Sequence, residues 1–179
     1  LVDDLAEGSA LSVVRTQASL SDLTRVATRD GVVLAAAPTG GFVFPDVVPG
    51  YDAVTALCKL LELLAEQDEP LSTLVASLPR STLVHRALPC PWGRKGLVMR
   101  VLNENLASRR LDLLDGVKAY DDRGWVQALP DPAEPFVHVY AEGESEEVSD
   151  ELADEVAAWV AAIVEGDEAP ARTVEQASS

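Results

Sequence analysis

The sequence has 179 residues, 47% of them hydrophobic, with 14 Lys and Arg against 30 Asp and Glu and a formal net charge of −16. Apolar content on that scale excludes a wholly disordered chain and allows one domain of ordinary size or two small ones. The acidity works against binding of DNA, RNA or anionic lipid, and no apolar run approaches the roughly 18–20 residues of a membrane span.

The opening, LVDDLAEGSALSVVRT, lacks the basic and apolar regions of a signal peptide and has no initiator methionine, so a piece of a longer, cytoplasmic polypeptide is expected. Within it SALSVVRT (9–16) is a strand candidate. In SLSDLTRVATRDG (19–31), Leu20, Leu23, Val26 and Ala27 share one helical face and Gly31 ends the helix. VVLAAAPTGGFVFPD reads as strand, turn, strand. GYDAVTALCKLLELLAEQ (50–67) is apolar around most of its girth and predicts a well-buried helix, with Cys58 a small buried residue in it. PLSTLVASLP adds a short helix that Pro79 helps to close.

A change of character at residues 80–82 introduces a second set of elements: the strand LVHRALPC, the helix GRKGLVMRVLNENLAS, two strands around AYDDRGWVQAL, the strand FVHVYAEG and a final helix. DDRG (121–124) is the tightest turn signal. In the final helix Val148, Leu152, Val156, Trp159, Val160, Ile163 and Val164 form one apolar stripe, with Ser145 as N-cap and Glu146 and Glu147 at the positive end of the dipole. The order β-α-β-β-β-α predicts an antiparallel sheet with helices on one face. The tail DEAPARTVEQASS, after Gly166, has no apolar pattern and is expected to be disordered. Cys58, Cys90, His85 and His138 show no metal-ligand spacing, so a Cys/His metal site is not expected.

Residues 10 to 165 resemble the C-terminal part of the α-D-phosphohexomutases, the phosphomannomutase/phosphoglucomutase superfamily. The resemblance rests on VVRT, GGFVFPD, PGYDAV, KLLELLA, DGVKAYDDRGW and EPFVHVYAEGESEE in their order and spacing. It implies an α/β (α+β) chain: residues 1–80 a partial sugar-binding third domain, residues 81–166 the phosphate-binding fourth domain, a small antiparallel sheet covered by helices (TBP-like), and 167–179 a tail. PCPWGRKGLVMRVLNENL and GWVQALPDP are similar to the mutase-like region attached to bacterial mannose-1-phosphate guanylyltransferases. The family's phosphoserine loop and its Asp-rich magnesium loop have no counterpart here. The resemblance therefore implies no catalytic residue or cofactor in this chain, magnesium in the full-length family member, and the missing N-terminal domains as partners.

Two family loops do have counterparts. The phosphate loop, Arg-Pro-Ser-Gly-Thr-Glu-Pro in the family, falls on Leu129, Pro130, Asp131, Pro132, Ala133, Glu134 and Pro135. Leu129 cannot form the charge-assisted bonds of an arginine, each worth ~1.5–3 kcal/mol. Pro132 removes an N–H. Asp131 would meet a phosphate with like charge, costing about 1–4 kcal/mol at ~4 Å. The sugar loop, Gly-Gly-Glu-x-Ser-Gly-His, falls on residues 35–41, where Ala37 replaces the carboxylate and Thr39 and Gly40 follow. Both substrate sites are thus degenerate, and the expected function is that of a non-catalytic scaffold or regulatory region, a pseudoenzyme, of a larger sugar-nucleotide enzyme. The rivals are half of a genuine mutase with altered contacts, and a plain protein-interaction module that could self-associate.

Arg94, Lys95, Arg100, Arg109 and Arg110 concentrate positive charge, and Arg94, Lys95 and Arg100 near a helix start form a candidate anion site for a phosphate or nucleotide. The same cluster could dock on an acidic neighbouring surface. Arg15 and Thr16 match a family motif near the cleft. His138, between Phe136 and Tyr140 on one strand face, reads as a core or interface residue, and Trp92, Trp125 and Trp159 as core residues.

Overall fold

The computed structural model describes Val2, Ala6 and residues 10–37, 40–78 and 82–166. Pro38, Thr39, Pro79 and the tail 167–179, on which sequence expectations fall, lie outside them. The chain divides into two compact units, Leu1–Arg80 and Ser81–Ser179.

In the first unit, helix α1 (Leu20–Ala27) begins where the Ser19 hydroxyl accepts the Asp22 N–H at 3.1 Å, and Asp22 pairs with Arg25 at 2.6 Å one turn on. Leu23, Val26 and Ala27 are buried, while Leu20 is exposed, so the apolar face is narrower than its pattern predicts. The two-residue strands β1 (Ala35–Ala36) and β2 (Phe42–Val43) pair as an antiparallel hairpin. The segment 11–16 forms no strand; a strand exists only by pairing, and none of the described strands pairs with it.

Helix α2 (Ala53–Gln67) is capped by Asp52, whose carboxylate accepts the Val54 N–H at 2.9 Å and the Thr55 hydroxyl at 2.7 Å. The expectation of a buried helix fails: no residue of α2 is buried, Leu57 and Leu61 are each 56% exposed, and Cys58 is exposed too. An apolar girth needs a neighbour on every side, and within this unit the described residues provide too few. Helix α3 (Leu71–Ser77) likewise buries nothing.

The second unit contains β3 (Val84–Pro89), helix α4 (Trp92–Asn105), β4 (Arg110–Asp112), β5 (Val117–Asp121), β6 (Gly124–Pro130), β7 (Phe136–Gly143) and helix α5 (Glu146–Glu165). The sheet order is β3-β7-β6-β5-β4, antiparallel throughout. Three-residue β4, absent from the sequence expectation, adds an edge. Between β5 and β6 a two-residue turn is tied by the Asp121 carboxylate accepting the Arg123 N–H at 2.9 Å. Gly124 is required there: a Cβ would lie 2.2 Å from the Glu142 carbonyl oxygen.

Strand alternation separates the sheet's two faces. Val117, Ala119, Val126, Ala128, Val137, Val139 and Ala141 are buried against Val98 and Leu102 of α4 and Leu152, Val156, Trp159, Val160 and Ile163 of α5. The other face carries Lys118, Tyr120, Trp125, Gln127, His138, Tyr140 and His85. Ser149 is a fully buried polar residue: its hydroxyl accepts the Gly143 N–H at 2.8 Å and donates to the Ser145 carbonyl at 2.9 Å, locking α5 to the end of β7.

Candidate functional site

The loop joining β6 to β7, Asp131 to Pro135, is held by both backbone and side-chain hydrogen bonds. Pro130, Pro132 and Pro135 restrict its backbone. The Asp131 N–H donates to the Phe136 carbonyl at 3.0 Å, closing the hairpin, and the Cys90 N–H donates to the Pro135 carbonyl at 2.7 Å, tying the loop to the end of β3. The Asp131 side chain folds back inside: its Oδ1 accepts the N–H groups of both Ala133 and Glu134 at 2.7 Å each. Its Oδ2 lies 3.0 Å from Nε2 of His138. The His138 bond, followed by the two backbone N–H bonds, holds the Asp131 carboxyl down at about 2.

An ionised Asp131 accepts only, so His138 donates from Nε2, and its Nδ1 lies 3.0 Å from His85 Nε2. His85 in turn stacks on Tyr140 with ring centroids 4.5 Å apart. Burial, then the neighbouring His138, pushes the His85 imidazole down, and burial pushes the Tyr140 phenol up. The result is an Asp131–His138–His85 chain running from the loop across the outer face of the sheet.

Lys95 approaches the loop from the first turn of α4. Its ammonium donates to the carbonyls of Asp131 and Glu134 and sits 3.6 Å from the centroid of the Trp92 ring. Both carbonyls precede prolines, so neither peptide has an N–H of its own to satisfy. Lys95 is thus almost wholly buried, whereas Arg94 and Arg100, its companions in the candidate anion site, are exposed on α4. Arg94 lies beside Gly166 at the far end of α5. Arg109 is drawn inside, its side chain only 6% exposed and bonded to Glu155 at 2.7 Å, and Arg110 covers the Tyr120 ring. The five basic residues that the sequence groups together therefore serve several separate contacts.

The remaining expected positions fall as follows. Leu129 lies in β6 opposite His138. Ala37 exchanges backbone bonds with Gly40 and Gly41 in the β1–β2 hairpin of the first unit, where Gly40 has φ +89°; Thr39 is outside the described residues. Arg15 is exposed and Thr16 half-buried in the irregular segment before α1. Trp159 packs in the core as expected, but Trp92 is 55% exposed over Lys95, because its place at the start of α4 points it to the loop and not to the sheet. Trp125 lies on the outer face, its indole N–H donating to Glu142 at 3.2 Å with the Lys118 ammonium over its ring. Pairing of His85 with His138 was missed in sequence; they are 53 residues apart, and only the β3–β7 register joins them. The described residues bring no three His, Cys, Asp or Glu together as a metal site, and no described helix is long and apolar enough to cross a membrane.

No protein-family model matches the chain. In sequence it is similar to the probable phosphoglucosamine mutase of Methanopyrus kandleri, 32% identical over 149 residues, 82% of this chain and 33% of that protein. It is also similar to the phosphoglucomutase/phosphomannomutase of Thermococcus kodakarensis, 29% identical over 150 residues, 82% of this chain and 32% of the relative. A crystal structure of a phosphoglucomutase/phosphomannomutase family protein from Burkholderia thailandensis shares the fold, with TM-score 0.63 and 21% identity over 76% of this chain and 29% of that one. The chain spans about a third of the length of the relatives it matches. Over most of its length it is homologous to phosphohexomutases.

Proposed function

We propose, from the premise that most of this chain is a phosphohexomutase-like region, that it serves a larger sugar-phosphate or sugar-nucleotide enzyme as a non-catalytic scaffold or regulatory part. One observation carries this reading. The loop 131–135 spends its converging donors on itself: the Ala133 and Glu134 N–H groups on Asp131, and the Lys95 ammonium on the Asp131 and Glu134 carbonyls. A phosphorylated sugar arriving there would meet an ionised carboxylate and no free cation in the loop. In this reading the missing catalytic groups belong to the rest of the polypeptide, as do the carboxylates that would hold magnesium, and a guanylyltransferase domain is one candidate for that remainder.

Amide NMR of this chain during titration with mannose 1-phosphate and GDP-mannose tests it. Silence at residues 131–134 is expected; saturable shifts there at millimolar or lower ligand would overturn the reading. The names of the relatives favour a second one, half of a working mutase whose substrate contacts come mostly from elsewhere. Phosphomannomutase or phosphoglucosamine mutase activity of the full-length protein, undiminished by Asp131→Ala, would establish that alternative.

A further inference from the structure

We infer that His85 and His138 form a two-imidazole site for a divalent transition-metal ion of the zinc class, with the Asp131 carboxylate orienting His138 from behind. The inference goes beyond the reading above and does not depend on it. His85 Nε2 and His138 Nδ1 face each other at 3.0 Å on the outer face of the sheet. A tetrahedral ion with bonds of about 2.0–2.1 Å to nitrogen holds two such ligands about 3.3 Å apart. A slight opening and turn of the rings therefore admits the metal in place of the hydrogen between them.

Three features prepare the pair for that exchange. His138 commits its other nitrogen, Nε2, to Asp131 Oδ2 at 3.0 Å, and a carboxylate behind a ligating imidazole fixes its tautomer and orientation and raises its basicity. The neutral ring then presents an Nδ1 lone pair. His85 is set in place by stacking on Tyr140, and burial, then His138, pushes it toward the neutral form that binds metals. Both residues stand on paired strands: the β3–β7 register puts His85 opposite Tyr140 and Ala87 opposite His138, so the imidazoles are neighbours on one rigid face. Solvent reaches them, since His85 is exposed and the His138 side chain is 22% exposed. Two protein ligands leave the remaining positions of the ion to water.

The test titrates the full chain with zinc chloride while NMR follows the imidazole nitrogens. Cys58→Ser serves as the background, because it removes the exposed thiol of the first unit. Saturable single-site binding is expected, with the largest shifts at His138 Nδ1 and His85 Nε2. His85→Phe keeps an aromatic ring on Tyr140 at an exposed strand position but offers no ligand, and should weaken zinc at least about tenfold. Asp131→Asn keeps both imidazoles and should weaken it about tenfold through loss of the orienting carboxylate. No saturable binding at submillimolar zinc would overturn the inference, as would undiminished affinity in Asp131→Asn. Equal affinity in His85→Phe would place the zinc elsewhere on this acidic surface and overturn it too.

Discussion

In the second unit, residues from β5, β6, β7 and two helices form one buried cluster that includes Val98, Leu102, Val139 and Val156, each 0% exposed, with partly buried residues of β3 and β4 packed against it. In the first unit the cluster contains, among the described residues, Leu23, Ala27 and Val43, although α2 and α3 are as rich in leucine and valine as anything in the second. The difference teaches that apolar composition supplies the demand for burial and topology decides whether it is met. A five-stranded sheet offers a whole face to two helices, whereas a hairpin of two-residue strands offers almost none.

The largest expected effect of that contrast is in isolated pieces. A fragment of residues 82–166 should melt cooperatively by circular dichroism, while one of residues 1–80 should show no cooperative transition and should bind a hydrophobic dye. A sharp transition in the 1–80 fragment would break the comparison. Within the intact chain, Leu102→Ala should cost about 2–5 kcal/mol in urea unfolding, against ~0.5 kcal/mol or less for Leu57→Ala on the exposed face of α2. Equal costs would mean that α2 is covered in solution.

Smaller again is the polar link between α5 and β7. Ser149→Ala leaves the Gly143 N–H without its buried acceptor and should lower stability by about 1–3 kcal/mol; glycine at 149 should do no better. The smallest effect is a pH dependence localised to the loop. Its hydrogen bonds hold the folded Asp131 carboxyl down at about 2, below the ordinary aspartate value of 3.8. Its contribution is therefore fully present above 3.8 and lost as the pH falls from there toward 2. Over that window wild type should lose stability more steeply than Asp131→Asn, and parallel slopes would remove the Asp131–His138 bond from the account.

Sequence and structure agree wherever the deciding interaction is local. Ser145 caps α5 and the stripe from Leu152 to Ile163 is buried because caps and periodicity act within one or two turns. FVHVYAEG alternates as a strand half-covered by helices does, and DDRG turns where its Asp can reach a backbone N–H two residues on. The short edge β4 left no such signal: Arg-Leu-Asp is a strand only because β5 lies beside it.

By itself, then, the sequence determined the helices, most of the strands, the single covered face of the sheet and the proline-framed loop with its altered residues. Tertiary structure alone decided that α2 stays exposed, that Lys95 turns inward, and that His85 meets His138. Lys95 is 36 residues from Asp131 and 39 from Glu134. Which groups meet across such distances is set by sheet register and helix placement, which local patterns do not encode. Asp131 stands between the two cases. Its identity showed that the loop had changed, and its fold onto Ala133, Glu134 and His138 showed what the change accomplishes.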